Sequence, residues 1–465
     1  LIKVMEGVED IPGVVMAEGL DWHWESFTEY LDAVEAGQRD IDVAAYLPHS
    51  PLRVFVMGTR GAEREPATAE DLARMRELAR EAMEAGAVGF SSSRLNIHRT
   101  ADGGKIPSFE APADELKAIA MGMKDAGSGT LQMVLDAPYR AWADEVGILV
   151  DIAEACERPA TFSMINGNHD VNSWRSAIAQ VEAANARGAH VTAQVLPRPI
   201  GLLSGLELSI NPFVLCPSFA PIADLPLEEK LAAMRDPAMR AQLLSEPMDG
   251  GHPLAMLGRS WKWMFPLGET PNYTPERDEC ILSLAQAAGV TPEEWAYDYL
   301  VAGDGRNMIL GALANFPECR IDALEEMLKH PDCVIGLGDG GAHYGAICDA
   351  SYPTFLLTHW VRKLGKISVA EAAEILAAKP ARALGFRDRG VLRVGAKADI
   401  NVIDLTAMHL PAPHIERDLP AGGRRLDQRA KGYDATIVSG TIIRRFDQPT
   451  GALPGRLVRS GQLAA

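Results

Sequence analysis

The chain has 465 residues, of which 47% are hydrophobic, and it carries a formal net charge of −18 with a pI of about 5.1. A chain this acidic repels the phosphates of nucleic acids and the anionic surface of membranes, so neither is an expected partner. It has no run of about 18 apolar residues that would span a membrane, and its six cysteines lack Cys-x-x-Cys spacing, which favours reduced thiols in a cytoplasmic protein.

Strand-like apolar segments alternate with amphipathic helices through most of the chain. Such alternation is typical of parallel strands joined by right-handed crossovers. An open doubly wound sheet produces the same pattern, but no Gly-x-Gly-x-x-Gly or P-loop motif supports nucleotide binding. The six predicted strands are Asp42–Leu47, Ala87–Ser91, Thr130–Asp136, Ala160–Ile165, His190–Leu196 and Cys333–Leu337.

Capping boxes mark the starts of several predicted helices. A Ser or Thr followed three residues later by an acidic residue begins a helix after Ser26, Thr68, Thr291 and Ser368. In the helix predicted for Ala69–Ala85, apolar residues recur at helical spacing, which predicts one buried face.

Two regions break the alternation. Pro197–Thr274 is rich in Pro, Gly and Trp, and such an insertion forms either a lid or pocket wall, or an excursion that packs Trp261 and Trp263 against the flank of the main domain. After about Leu384 the helices stop. There we predict a hairpin over Gly390–Asp404 and strands over Tyr433–Phe446 around the turn Ser439-Gly440.

The segment Val334–His343 contains the strongest candidate for a catalytic group. A short apolar run, typical of a buried strand, breaks into glycines around Asp339 and His343. This pattern places an acid at the carboxyl end of a strand, and the glycines leave room for a substrate or a water molecule. Taken alone, Asp-Gly-Gly is also a common tight turn.

Asp339 with His343, followed by Gly390–Asp404 with its Ala-Asp-Ile-x-Val-Ile-Asp ending, resembles the amidohydrolase superfamily. The closer resemblance is to the N-acyl-D-amino-acid deacylase (D-aminoacylase) branch, and it covers nearly the whole chain. It implies a (β/α)8 TIM-type barrel with a small β-sandwich subdomain, and metal-assisted hydrolysis of an amide. The further segments that support it are Gly7–Pro12, Trp24–Leu31, Gly86–Arg94, Asp418–Gly423 and Gly451–Arg459.

The resemblance implies eight barrel strands, whereas the sequence shows six. We therefore expect strands three to eight within 1–385, with a long insertion near 197–274, and the C-terminal half of the β-sandwich within 386–465. In the family the first strand carries a His-x-His metal pair and the second a Cys. Neither motif is found, so we expect the N-terminal strands to be absent from this sequence or to lie on another chain.

The same resemblance implies a zinc ion with Asp339 as one ligand and the others upstream of residue 1. Relatives also place histidines at the ends of the fifth and sixth strands, where this chain has none. His169 and Asp170 either replace them or precede a helix. We expect one zinc ion and no fully occupied second site.

In such a site Asp339 would take a proton from the metal-activated water and pass it to the leaving amine. His343 would orient Asp339, donate to the oxyanion, or bond a loop carbonyl. An N-acyl amino acid also needs a partner for its carboxylate. The candidates near strand ends, each of which can instead have a structural role, are Arg94, His98, His49 and Arg198.

Three functions remain open at this stage. The first is hydrolysis of an N-acyl-D-amino acid or a similar small-molecule amide, with the aromatic segment Trp261–Phe265 as a candidate surface for the acyl group. The second keeps the chemistry but acts on a cyclic amide, a carbamoyl compound or an ester. The third is a non-catalytic relative that binds a small molecule. A homo-oligomer is compatible with all three.

Overall fold

Six parallel strands form the main sheet in a computed structural model that describes residues 2–137, 140–247 and 258–460. All six predicted strands are confirmed; five are shorter than their apolar runs, and the one predicted over Ala87–Ser91 has the predicted length but lies two residues later. The strands are β1 (Tyr46–Pro48), β2 (Gly89–Ser93), β3 (Thr130–Val134), β4 (Ala160–Ser163), β5 (Val191–Val195) and β9 (Cys333–Ile335).

The strands follow the order β1-β2-β3-β4-β5-β9, and every neighbouring pair is parallel. Because all six strands run the same way, their carboxyl ends meet along one rim. Their apolar residues, such as Phe90, Leu131 and Phe162, are fully buried in the main core. This is the expected βα-barrel arrangement, and it places the loops after the strands together.

Helices alternate with the strands, and those between β1 and β5 share the main core with the sheet. No helix in the described part of the chain is both long and apolar enough to cross a membrane. The helices are α1 (Ile2–Val8), α2 (Gly13–Gly19), α3 (Phe27–Ala36), α4 (His49–Met57), α5 (Thr59–Ala62), α6 (Ala69–Glu84), α7 (Ala113–Ala126), α8 (Trp142–Cys156), α9 (Ser173–Ala186), α10 (Leu227–Met234), α11 (Pro237–Ser245), α12 (Ile281–Ala288), α13 (Pro292–Val301), α14 (Asp322–Lys329), α15 (Tyr352–Phe355, continued as a π-helix over Leu356–Lys363), α16 (Val369–Ala373, continued as a π-helix over Glu374–Ala378) and α17 (Lys379–Ala383).

All four predicted capping boxes are present. At α6, the Asp71 N–H donates to Thr68 Oγ1 at 3.2 Å, and the Thr68 N–H donates to Asp71 Oδ2 at 2.8 Å. These bonds satisfy backbone donors that a helix start leaves unpaired. The predicted apolar face is buried, and includes Met75 and Met83.

The excursion after β5 forms its own antiparallel sheet of β6 (Ile200–Ser204), β8 (Ile309–Ala314) and β7 (Met264–Pro266). It has a second apolar core, against which Trp261 packs instead of against the barrel. The Trp261 indole N–H donates to Glu293 Oε1 at 3.1 Å. The excursion therefore extends past Thr274 to β8, because β8 supplies the central strand of its sheet.

The C-terminal region contains β10 (Ile400–Ile403), β11 (His414–Glu416), β12 (Arg425–Asp427), β13 (Tyr433–Val438), β14 (Thr441–Arg445) and β15 (Gln448–Pro449). The strands predicted around Ser439-Gly440 are confirmed as the antiparallel pair β13–β14. The hairpin predicted over Gly390–Asp404 is wrong, because β10 pairs with β13 instead. Left-handed backbone at Gly390 (φ 83°) and Gly395 (φ 86°) bends the earlier half out of strand conformation.

Candidate active site

Asp339 lies in the loop that follows β9, at the carboxyl rim of the sheet. Its side chain is 48% exposed, so it is open to solvent. The surrounding protein nevertheless reduces its hydration, and this desolvation is the main reason why its pKa is raised; Glu9 adds to the rise and His343 opposes it. A carboxyl group in this setting is both accessible and a better proton acceptor than an ordinary aspartate.

A glycine next to Asp339 is required by packing. A Cβ at Gly338 would lie 2.3 Å from Cε1 of Tyr352, the first residue of α15. The ring of Tyr352 therefore lies so close to the loop backbone that only a glycine fits at position 338. The glycine setting noted in the sequence thus has a packing reason at this position.

His343 sits between two carboxylates. Its Nε2 is 3.8 Å from Asp339 Oδ2 and 3.7 Å from Glu9 Oε2. Both distances are longer than a hydrogen bond, so the interactions are electrostatic in this conformation. The backbone N–H of His343 also donates to the Glu9 carbonyl.

Glu9 and Asp10 reach the site from the loop between α1 and α2. The Asp10 carboxylate accepts hydrogen bonds from Ser209 Oγ, at 2.8 and 2.9 Å, and from the Gly345 N–H at 3.0 Å. The N-terminal loop is thereby fastened to both the excursion and the Asp339 loop. Sequence reasoning missed this role, because no periodicity or spacing connects position 9 with position 343.

Asp349 is a second carboxyl group that sequence reasoning missed. It is 3% exposed, and its Oδ1 accepts a hydrogen bond from the Asp339 N–H at 2.8 Å. Burial raises its pKa to about 6, an effect that the charge of Arg198 partly opposes. A buried acid that bonds the backbone of the candidate catalytic residue belongs to the same site.

Arg198 follows β5, and its side chain contacts the backbone of Cys348, the residue before Asp349. Its side chain is buried, its Nη2 donates to the Cys348 carbonyl at 2.9 Å, and its Cζ lies 4.1 Å from the centre of the Tyr273 ring. Its Nε and Nη1 have no hydrogen-bond partner among the described residues. The guanidinium therefore retains donors for a further acceptor.

His98 also belongs to the rim. Its Nδ1 is 2.7 Å from Ser93 Oγ at the end of β2. Burial, together with a smaller contribution from the charge of His343, lowers its pKa to about 4. The imidazole of His98 is therefore neutral at pH 7.

Arg94 does not have the predicted role at the rim. Its Nε and Nη2 donate to the two Glu145 oxygens at 2.9 and 3.2 Å, and its Nη1 donates to the Ala111 carbonyl at 3.0 Å. All three of its nitrogens are thus engaged inside the protein. This arrangement favours the structural alternative for Arg94 over binding of a substrate carboxylate, because Glu145 already occupies its fork.

His49 likewise lies inside the protein. Its Nδ1 is 2.8 Å from Ser92 Oγ and its Nε2 is 2.8 Å from Glu115 Oε1, which also accepts from Arg53. The three side chains have the composition of a hydrolase triad, but all are buried. Ser92 faces the opposite side of β2 from Ser93, which bonds His98. His49 therefore joins α4 to β2 and α7, which favours a structural role over one at the rim.

The ends of β3 and β4 carry no imidazole. Asp136, after β3, accepts a hydrogen bond from the Asn96 N–H at 2.8 Å, while the Asn166 N–H donates to Asn315 Oδ1 at 2.7 Å. His169 is exposed in the turn that leads into α9. These positions are therefore occupied by internal hydrogen bonds.

A zinc ion needs three or four donor atoms close enough to share it. In the parts of the chain that the structure describes, the group of three donors close enough to share one ion is His414, Glu416 and Asp427, on the surface pair β11–β12. Arg429 already binds both of these carboxylates, at 2.9 and 2.7 Å. The described rim residues do not form a zinc site by themselves, although Asp339 offers one oxygen ligand.

The polar rim of a parallel βα sheet is where barrel enzymes carry their catalytic groups. The fold and the Asp339 rim place the chain in that class. More specifically, the chain belongs to the amidohydrolase family, whose sequence model matches residues 1–444.

Individual relatives agree with this assignment. The chain is 25% identical over 499 residues to an uncharacterized protein of Mycobacterium tuberculosis, covering 95% of this chain and 76% of the relative. It is 26% identical over 440 residues to the N-acyl-D-glutamate deacylase of Alcaligenes xylosoxydans xylosoxydans, covering 92% and 72%.

Two solved structures share the fold. One is a D-aminoacylase with a binuclear metal centre, at a TM-score of 0.61 and 17% identity, covering 98% of this chain and 79% of that one. The other is the N-acyl-D-glutamate deacylase of Bordetella bronchiseptica, complexed with zinc and a phosphonate mimic of the tetrahedral intermediate. Its TM-score is 0.57 at 21% identity, covering 94% and 75%.

Proposed function

We propose that this protein hydrolyses the amide bond of N-acyl-D-amino acids or similar amides, with Asp339 carrying the proton. The observation that supports this most directly is the accessible Asp339 carboxyl at the rim, beside His343 at 3.8 Å. The names of the relatives, D-aminoacylase and N-acyl-D-glutamate deacylase, support the choice of substrate class.

In this proposal the carboxylate form of Asp339 accepts a proton from the attacking water as the water oxygen bonds the amide carbon. When the C–N bond breaks, Asp339 returns that proton to the departing nitrogen, which leaves as an amine. Desolvation favours the first step, because it raises the pKa of Asp339 and so its proton affinity. The His343 imidazole lies next to Asp339, at 3.8 Å, and it limits the rise in the pKa of that carboxyl.

Recognition of the amino-acid carboxylate falls to Arg198 among the cations predicted from the sequence. Arg94 is the weaker candidate, because its Nε and Nη2 already bond Glu145. Arg198 keeps two unpartnered nitrogens in a buried setting, where a hydrogen bond to a carboxylate is strong. Arg198 also lies against Tyr273, with its Cζ 4.1 Å from the ring centre.

A zinc ion at this rim remains a prediction. Metal chemistry, where present, would supply a water of lowered pKa. The described residues contribute the Asp339 carboxylate to such a site and not a full ligand set, so the proton transfers above are those of Asp339 alone.

The test is a panel of matched N-acyl-D- and N-acyl-L-amino acids, assayed with the wild-type protein and with Asp339→Asn. We expect release of the free D-amino acid, and a loss of roughly 10²–10⁴-fold in kcat in the variant, as removal of a general acid–base group usually gives. Asp151→Asn, on the exposed face of α8, is the matched control and should retain full activity.

Other results lead to the alternatives. Turnover of a cyclic amide, a carbamoyl compound or an ester, without turnover of N-acyl amino acids, would show that the protein is a hydrolase with a different substrate. Binding of these compounds with no turnover, unchanged by Asp339→Asn, would identify a non-catalytic relative and refute the proposal.

A further inference from the structure

We propose that Asp349 is a positioning residue, which holds Asp339 in its reactive orientation through the backbone of the Asp339 loop. This inference rests on the proposed role of Asp339. Asp349 itself does not touch the substrate in this proposal; it acts through the hydrogen bond that its Oδ1 accepts from the Asp339 N–H at 2.8 Å.

The Asp339 loop needs such a support. Asp339 stands between Gly338 and Gly340, and Gly341 follows in the left-handed region with φ 83°. Glycines have no side chain to anchor and more backbone freedom than any other residue. A bond to the backbone of Asp339 itself therefore restrains the residue where its own neighbours do not.

The bond is also well formed. The N···O distance of 2.8 Å is that of a full hydrogen bond, and it requires an oxygen acceptor at this position. Asp349 is nine-tenths buried, so water does not compete freely for its oxygen. The contact thus fixes the Asp339 backbone more firmly than a solvent-exposed turn would.

Asp349 is in turn fastened to the neighbouring strand. Arg198, just after β5, donates to the carbonyl of Cys348, the residue before Asp349. On the other side, the Tyr352 N–H donates to the Asp349 carbonyl at 2.9 Å and starts α15. A continuous series of contacts therefore joins the end of β5 to Asp339.

The same segment supports the loop at a second point. The Tyr352 ring lies against Gly338, so closely that a Cβ there would come within 2.3 Å of it. Asp349 and Tyr352, three residues apart, thus contact consecutive residues of the loop. Packing therefore restrains Gly338, and a hydrogen bond restrains Asp339.

Two conservative variants separate positioning from charge. Asp349→Asn keeps an oxygen acceptor for the Asp339 N–H and loses the charge, whereas Asp349→Glu keeps the charge and moves the acceptor by one methylene. We expect Asp349→Asn to retain kcat within about threefold. Asp349→Glu should lose about 10²-fold in kcat with little change in KM, the effect of a misplaced reacting group.

Hydrogen exchange of residues 336–345, measured by mass spectrometry, gives a readout that needs no substrate. Exchange should rise in Asp349→Glu and stay at the wild-type level in Asp349→Asn, with Asp151→Asn as a control that changes neither quantity. If the wild-type protein cleaves no amide, the proposed function fails while the exchange data still decide the positioning role. The opposite ranking of the two variants, or equal exchange in both, would overturn the inference.

Discussion

Aspartates of this chain respond to their surroundings in opposite directions. The exposed Asp102 accepts hydrogen bonds from Thr100 and Lys3, and its pKa falls to about 2. At the rim, burial raises the pKa values of Asp339 and Asp349, to about 6 for the latter. Residue type alone does not determine proton affinity; the loss of hydration at the rim does.

The pH dependence of activity should report the pair Glu9–Asp339. Asp339 accepts a proton only when ionised, so activity falls as the pH drops through its pKa. The negative charge of Glu9 raises that pKa, and Glu9→Gln should therefore move the acid limb of kcat/KM to lower pH. Burial, the larger cause, remains in the variant, so the shift should be partial.

The matched control for this profile is Glu18→Gln, an exposed residue of α2. Its acid limb should coincide with that of the wild type. A limb that stays in place or moves to higher pH in Glu9→Gln would show that Glu9 does not act on Asp339.

Arg198 should affect KM more than kcat. Replacement by Gln removes a hydrogen bond to a charged group, worth about 1.5–3 kcal/mol, which corresponds to a KM increase of roughly 10- to 100-fold for substrates with a free carboxylate. Substrates whose carboxylate is blocked as an amide should lose little. Arg306→Gln, on an exposed side chain, is the control; an equal loss on free and blocked substrates would contradict carboxylate recognition.

At the scale of elements, the sequence predicted those helices and strands that depend on residues close together in the chain. The capping boxes and the six apolar runs were confirmed, because a helix start and a buried strand depend on residues a few positions apart. The hairpin over Gly390–Asp404 failed because its partner strand, β13, lies further along the chain.

The site was only partly predictable for the same reason. Asp339 and His343 lie close together in sequence, so their pattern is visible. The partners of Arg94 and His49 were not predictable, because the acids that engage them, Glu145 and Glu115, lie 51 and 66 positions away. Partners at such separations meet only when the helices have packed on the sheet.

The fastening of the N-terminal loop can be tested at Ser209. Ser209→Ala removes the hydroxyl that donates to both Asp10 oxygens, and should lower the free energy of unfolding by about 1.5–3 kcal/mol, as for a hydrogen bond to a charged group. Thermal or denaturant unfolding measures this. Ser176→Ala, whose exposed hydroxyl bonds its own helix, is the control; equal stability of both variants would show that the contact contributes nothing.

At the scale of the whole molecule, one parallel sheet and one antiparallel excursion both contribute to the rim. The sheet supplies Asp339, Arg198 and His98 from the ends of β9, β5 and β2. The excursion supplies Ser209, which fastens the N-terminal loop next to them. The rim is therefore a property of the assembled chain and of no single element.

Metal content is the corresponding test on the whole protein. We expect elemental analysis of the purified protein to find about one zinc ion per chain, since zinc-bound water is the usual nucleophile of such hydrolases. Activity should disappear on chelation and return on adding zinc, and Asp339→Asn should retain less metal. Activity that survives complete removal of the metal would eliminate the zinc prediction.

The pairing of β6 with β8 has a consequence for how the chain folds. β5 and β9 are neighbours in the sheet although Val195 and Cys333 lie far apart along the chain, and closing so long a loop costs conformational entropy. Because Ile200 pairs with Ala314, folding of the excursion first would draw these distant segments together. The strand β9, which carries Asp339 in its following loop, would then have to close only a short loop to reach β5. Folding of the excursion would therefore limit the rate at which the active site forms.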